Sequence, residues 1–310
     1  MAAIASSART AESLWRRLLA PTSLLRRLVR RPAGLLGLLV VACIVVVAIF
    51  APLLAPYKPD AVDVVNMFQG PSPGHLLGTD ALGRDNLSRL LFGTRTALGI
   101  ALPAVATAFA VGLCLGLLAG YLGSWVDKLL IVLIDTGLAF PAVILALAMI
   151  TLLGPSIGNI ILLIAVAYAP YYARLARAQT LAAKQNPYVK AERALGAGTA
   201  RLLAVHVLPN IIPPLLILIA MDIPGAIGVE AGLAFLGLGV QPPTPDWGVM
   251  LNDGFTNIAT TSWGLVGPLI ALFVVTTAFT LLGETVRDIA DPRFAGVRRR
   301  RLRFREIGKL

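Results

Sequence analysis

The sequence predicts an all-α membrane protein: six transmembrane helices with both termini on one side of the bilayer. Three observations predict it. The 310-residue chain is 57% hydrophobic and 14% charged, too apolar for a water-soluble domain. Several of its apolar runs reach the roughly 20 residues that a bilayer crossing needs. Threading six spans through those runs puts 23 of the 27 Lys and Arg on the side of the termini, which the positive-inside rule makes cytoplasmic. A nucleic-acid reader with this net charge of +11 would gather its cations on a folded polar face, so nucleic acid is excluded as a partner.

Residues 1–32 form a basic arm in which paired leucines alternate with paired arginines. It either lies along the inner leaflet or only fixes orientation, and the basic tail 291–310 invites the same two readings. The first span, 33–55, is longer than the about 7 to 15 apolar residues of a cleavable signal core and is therefore retained. The transmembrane domain runs over 33–290. An external loop over 56–96 leads to spans at 97–121, 127–153 and 157–177. A cytoplasmic hairpin at 178–210 precedes the fifth span, 211–238. That span carries Pro213, Pro214, Pro224, Gly225, Gly228 and Gly232. Its backbone is expected to be broken, lining a pathway, or else kinked and packed closely through its glycines. A second external loop, 239–263, leads to the last span at 264–284. Cys43 and Cys114 both sit inside apolar runs, which supports neither a disulfide nor a thiolate metal site.

The hairpin is the least expected element. Asn186 before Pro187 reads as a helix N-cap, Gly196 as a left-handed stop, and Thr199 as the cap of a second short helix ending at Leu208 before Pro209. Lys190, Glu192, Arg193 and Arg201 give its faces a polar surface, suited either to a partner's groove or to lipid headgroups. His206, with no second His or Cys nearby, reads as a polar contact and not a metal ligand.

The run "AERALGAGTARLLAVHVLPN" resembles the EAA loop of ATP-binding-cassette importer permeases, the helix that sits in a cleft of the cytosolic ATPase. Ala191, Gly196, Leu208 and Pro209 stand at the matching spacing. Lys190, Glu192 and His206 depart from the family's Glu, second Ala and usual Ile. The resemblance implies an ATPase-coupling surface made by Tyr188, Lys190, Ala191, Glu192, Arg193, Ala194, Leu195, Gly196, Ala197, His206, Leu208 and Pro209, with Glu192 or Arg193 meeting the ATPase. Three further strings, "HLLGTDALGRDNLSRLLFGTRTALG", "DTGLAFP" and "GLAFLGLGVQPPTPDWGVML", resemble the C-type inner-membrane subunit of dipeptide, oligopeptide and nickel importers. The similarity extends from about residue 30 to residue 293.

This resemblance implies the type I importer permease fold in a bacterial inner membrane. It also implies a related second permease, two ATPase domains that carry the ATP and Mg, and an external solute-binding protein or lipoprotein. The cargo implied is a di- or oligopeptide, with nickel or another small ligand as the alternative. The chain holds no nucleotide phosphate loop, so it is expected not to be an enzyme and to bind no cofactor itself.

In the loops, Gly78, Gly83 and Gly93 permit tight turns, Asp85 or Asn86 can cap a helix, and Leu87, Leu90 and Leu91 make an apolar face beside Arg89. An interfacial helix leading into the second span is expected there. Asp80, Arg84, Asp85, Asp246 and Trp247 are the candidates for external docking, against the plainer reading of loops folded over the outer mouth. Trp247 suits the membrane interface. His75, Asp80 and Asp85 are expected to serve turns and caps instead of a metal. Among ionisable groups inside spans, Asp135, Asp222 and Glu230 are the candidates for the pathway or the subunit interface, with Asp222 near mid-bilayer.

Two rival classes remain. A secondary transporter or channel would share six spans and buried carboxylates, yet no inverted repeat links the two halves. "GPSIG" at 154–158 matches a serine-nucleophile pattern but falls in a short turn between helices, where the pattern needs a strand and a histidine base.

Overall fold

The computed structural model describes residues 21–290, so the tail and most of the basic arm lie outside the described residues. Helix α1 (Pro21–Val29) leads into α2 (Pro32–Leu54), where proline in the first turn removes a donor that would have no intrahelical acceptor. The loop after α2 holds one 3-10 turn, Val64–Asn66. From Asn86 the chain then enters α3 (Asn86–Leu122), 37 residues long. The expected interfacial helix and the second span are thus one continuous helix, and the preceding loop ends at 85. Pro103 removes a single rung, and the ladder otherwise runs unbroken to Gly123 (φ +65).

The expected third span is two helices, α4 (Ser124–Ala139) and α5 (Ala142–Leu153), bent by 95°. Phe140 is extended because it precedes Pro141, and Pro141 has no N–H with which to continue α4. Helix α6 (Ile157–Lys184) outruns its expected end at 177, since nothing in "ARLARAQTLAAK" breaks a helix before Asn186 and Pro187. Lys184 therefore lies within the helix, and the hairpin begins later than 178.

The hairpin opens with α7 (Pro187–Ala194), then a turn at Thr199–Arg201 and a π-helical segment, Leu202–Val207. These merge into α8 (Leu208–Phe235). Two expectations are corrected here. The second hairpin helix does not end at Leu208, and the fifth span is not broken. Pro209, Pro213, Pro214 and Pro224 each remove one rung from a helix that runs on past them. Pro224 leaves the carbonyl of Ala220 without its helical donor, and Gly283 of the last helix packs there: a Cβ on Gly283 would stand 3.1 Å from that oxygen. A neighbouring helix thus covers the freed group. Helices α9 (Trp247–Thr256) and α10 (Trp263–Ala290) complete the order. No β-strand occurs among the described residues, only an isolated bridge between Thr79 and Asp85.

The tightest seam joins α3 to α6. Gly112, Gly116 and Gly120 recur every four residues on α3, and a Cβ on Gly116 would approach the Ala173 carbonyl to 2.3 Å. Small residues at this spacing let two backbones touch, the main source of helix affinity where lipid is as apolar as leucine. Gly112 meets Tyr172 and Gly120 meets Thr180, so α3 and α6 run parallel, and the bent pair α4–α5 returns the chain between them. At the hairpin end, Arg31 pairs with Asp288 at 3.2 Å, bringing the start of α2 and the end of α10 together. The loops 56–85 and 236–262 gather at the opposite end.

Candidate functional site

At the hairpin end, Gly196 adopts φ +85 and closes α7 with a left-handed turn in which Ala197 N donates to Glu192 O at 3.1 Å. Two cap expectations need correction. The Asn186 side chain makes no capping hydrogen bond, its extended backbone and Pro187 sufficing to start α7. Gly198, not Thr199, stands at the cap of the second arm. Inside the elbow, Asn210 Nδ2 donates to the Tyr188 hydroxyl at 2.8 Å and to His206 O at 2.6 Å, and Glu192 approaches His206 Nε2 at 4.0 Å. Tyr188, Glu192 and His206 therefore face one another within the hairpin. Lys190, Ala191, Arg193, Ala194 and Gly196 face outward, while Ala197 and Leu208 are half-buried and Pro209 is exposed. Leu195 at the tip is 84% exposed, an apolar group left without cover. Beside α7 lies a cleft of about 210 Å³ lined by Tyr121, Lys184, Gln185, Lys190 and Arg193, with no acid in its wall.

At the loop end, Asp85 caps α3 by accepting from Ser88 N at 2.7 Å, and its other oxygen meets His75 Nδ1 at 3.0 Å. Asp80 accepts from the backbone of Leu82 and Arg84, binds Arg84 Nε at 2.6 Å and lies 3.2 Å from Arg89 Nη1. Both guanidinium groups reach toward Asp253 of α9, at 3.7 and 3.9 Å. Burial pushes the Asp253 carboxyl above the usual range, with Arg89 and Arg84 opposing the shift. Asp246 caps α9 through Gly248 N and Val249 N, and Trp247 is buried against α3.

Asp80, Arg84, Asp85, Asp246 and Trp247 are therefore not an exposed docking face. All five are buried, because each is turned inward to fasten a loop, a cap or a helix. Outward the loop end presents an apolar crest instead: Val62, Val64, Val65, Met67, Leu76 and Leu82 are all exposed. Nearby Asp63 is held below the usual carboxylate range by hydrogen bonds from the Asn66 amide and Val65 N–H. No group of three or more metal-ligating side chains occurs among the described residues. Ser156 serves as the N-cap of α6, accepting from Asn159 N at 3.1 Å, which is a structural use of the hydroxyl.

The three candidate carboxylates inside the bundle separate. Asp135 pairs with Arg174 at 2.6 Å, and one turn pair away Asp127 is held by Arg177 through Nε (2.6 Å) and Nη2 (2.8 Å), so α4 is tied twice to α6. Glu230, 1% exposed, is buried on α8 beside the Asp246 carboxyl. Asp222 is half-buried and accepts from the Tyr172 hydroxyl at 2.6 Å. It stands 14 residues after Leu208, about 21 Å along α8 and close to its middle. Gly225, Gly228 and Gly232 leave the same side of α8 exposed, with open space where Cβ atoms of Gly228 and Gly232 would lie. Sequence reasoning missed Tyr172, Arg177, Asp253 and the glycine repeat of α3; only the repeat had a legible signal, its fixed spacing of four.

Residues 112–296 match the family model described as the binding-protein-dependent transport system inner membrane component, and residues 13–71 match the N-terminal transmembrane domain of oligopeptide transport permease C. The chain is 35% identical over 284 residues to the dipeptide transport system permease protein of Alkalihalophilus pseudofirmus, covering 92% of this chain and 91% of that one. It is 38% identical over 280 residues to the glutathione transport system permease protein of Pectobacterium atrosepticum, covering 90% of each. Among solved structures, an inward-facing MetNI methionine ABC transporter superposes with a TM-score of 0.52 at 19% identity. That match covers 65% of this chain and 96% of that one, a likeness of fold.

Proposed function

The chain belongs to the family of binding-protein-dependent transport system inner membrane components, and from that premise we propose that it is the permease subunit of an ATP-driven peptide importer. The relatives named for dipeptide and glutathione transport align over nearly its whole length, and both cargoes are short peptides bearing a free α-amino group. A multi-pass membrane protein of this family holds half of a pathway. A related second permease supplies the other half, two ATPase domains supply the ATP hydrolysis, and an external binding protein delivers cargo. The distribution of Lys and Arg supports an orientation with the hairpin and both termini in the cytoplasm.

The observation that carries the mechanism is the fusion of hairpin and span. From Thr199 to Phe235 the backbone is helical without interruption, so an ATPase seated on the exposed face of α7 would act on α8 through the Gly196 elbow. ATP-driven closure of the ATPases then favours one arrangement of α8 and its neighbours, and nucleotide release the other, which is a shift between two access states driven by differential contacts. The apolar crest at the opposite end supplies the surface for the binding protein.

The test is purification of the tagged chain in mild detergent, identification of its companions, and reconstitution into vesicles. Recovery of a second permease and an ATPase, with ATP-dependent accumulation of labelled dialanine or trialanine once the binding protein is added, is the expected result. A chain recovered alone, with peptide flux that ignores ATP, would overturn the reading in favour of a channel or secondary transporter.

A further inference from the structure

We propose that Asp222 is the counter-charge that receives the α-ammonium group of a peptide cargo as it passes along α8. This rests on the peptide-importer reading above and adds to it a recognition group inside the permease.

An ionisable side chain near the middle of a membrane helix faces a water-filled cavity or a partner, because exposing a charge to lipid is costly. Asp222 is half-buried near the middle of α8, so the exposed side of α8 around it is a cavity wall or an interface. Asp127 has Arg177, Asp135 has Arg174 and Asp288 has Arg31; Glu230 is enclosed beside Asp246 with Oε1 accepting no hydrogen bond from any described residue, and Glu284 stands exposed toward the hairpin end of α10. Asp222 pairs with no Lys, Arg or His among the described residues. The Tyr172 hydroxyl donates to Oδ2 and anchors the group, while Oδ1 accepts no hydrogen bond from any described residue.

The surroundings fit a peptide main chain. Gly228 and Gly232 leave open space on the turns of α8 that follow, the Tyr168 hydroxyl stands where a side chain on Gly225 would lie, and the buried Tyr172 hydroxyl holds Asp222 from the α6 side. A pathway for peptides of varied sequence can recognise only what they share, namely backbone amides and the two charged termini. An ammonium has three donors and no acceptor, and a carboxylate oxygen without a donor is its complement.

The experiment uses the whole complex in vesicles with its binding protein, ATP and labelled trialanine. During turnover a membrane-permeant carbodiimide is added. It activates the Asp222 carboxyl, and a neighbouring amine displaces the activated ester, forming an amide while the carboxyl oxygen leaves with the urea. The expected product is a proteolytic fragment containing Asp222 heavier by trialanine less one water, absent without ATP-driven turnover and absent from Asp222→Asn. Asp222→Asn should also slow uptake about tenfold, with Asp222→Glu largely restoring it and ATP hydrolysis stimulated by the loaded binding protein preserved in both.

Uptake by the wild type with no adduct at Asp222, an adduct joining Asp222 to a lysine of the second permease, or a parallel loss of uptake and ATPase that Asp222→Glu does not rescue would each overturn the proposal. Failure of the wild type to accumulate trialanine at all would instead remove the peptide-importer reading on which it stands.

Discussion

The indole N–H of Trp247 donates to the carbonyl oxygen of Leu90 at 3.0 Å, and its ring fills the space that Gly93 leaves bare. A Cβ on Gly93 would fall 2.5 Å from the indole, so the loop-end helix α9 is seated on α3 by one aromatic side chain and one missing one.

Gly93→Ala should therefore destabilise the chain by about 1–3 kcal/mol through overpacking. Thermal unfolding in detergent, followed by tryptophan fluorescence, would show a lower midpoint. Gly99→Ala, six residues on in the same helix with nothing within 4 Å, serves as the control and should leave the midpoint unchanged or raised.

Gly83 is the more severe case. It adopts φ +72, and a Cβ there would stand 1.7 Å from the Asp63 carbonyl oxygen, so neither backbone nor space admits a side chain. Gly83→Ala should expose the loop 56–85 to protease under conditions where the wild type resists, even if the spans remain folded. Equal cleavage rates would contradict this packing.

Gly196 separates conformation from sterics. Nothing lies within 4 Å of its Cβ position, so only the left-handed backbone resists substitution. Gly196→Val should cost about 1–2 kcal/mol at the elbow and reduce peptide uptake per ATP hydrolysed, whereas Gly196→Asn should retain most of the coupling. If both variants couple as wild type does, the elbow carries no movement.

Arg177→Lys keeps the charge and loses the two-pronged hold on Asp127. A loss of about 1 kcal/mol is expected at this partly exposed site, again read from the unfolding midpoint.

Asp63 supplies a pH dependence whose sign is fixed. Its folded-state carboxyl is held below the ordinary value of 3.8, so its contribution to loop stability is present above that value and is lost as the pH falls through the lower, folded one. Asp63→Asn should accelerate loop proteolysis at neutral pH relative to wild type, and an acid-stable protease should find that difference shrinking at the lowest pH.

Much of the bundle was legible because apolar length and charge asymmetry are strong constraints in a membrane. The places of α2, α6, α8 and α10 and the positive φ of Gly196 follow from them and from glycine's lack of a Cβ. Other features depend on partners that no local pattern names. The prolines of α8 read as a break, yet Gly283 of α10 covers the carbonyl that Pro224 frees. Asp80 and Trp247 read as surface because they lie in loops, but their partners Arg89 and Leu90 come from α3. Asp135 read as a pathway charge, but Arg174 of α6 pairs with it at 2.6 Å. Asp222 kept its candidacy because none of the described residues supplies it with a cation.

The unbroken run from Thr199 to Phe235 also sets a scale. Thirty-seven helical residues span about 55 Å, so a tilt of only about 5° at the hairpin would sweep the far end through about 5 Å, the rise of one helical turn. Angular gain of this kind lets a small closing motion in one compartment redraw the opening to the other. It works only while the rod stays stiff, which makes the contact between Gly283 and Ala220, where Pro224 has removed a rung, a point that sets how much of the stroke arrives.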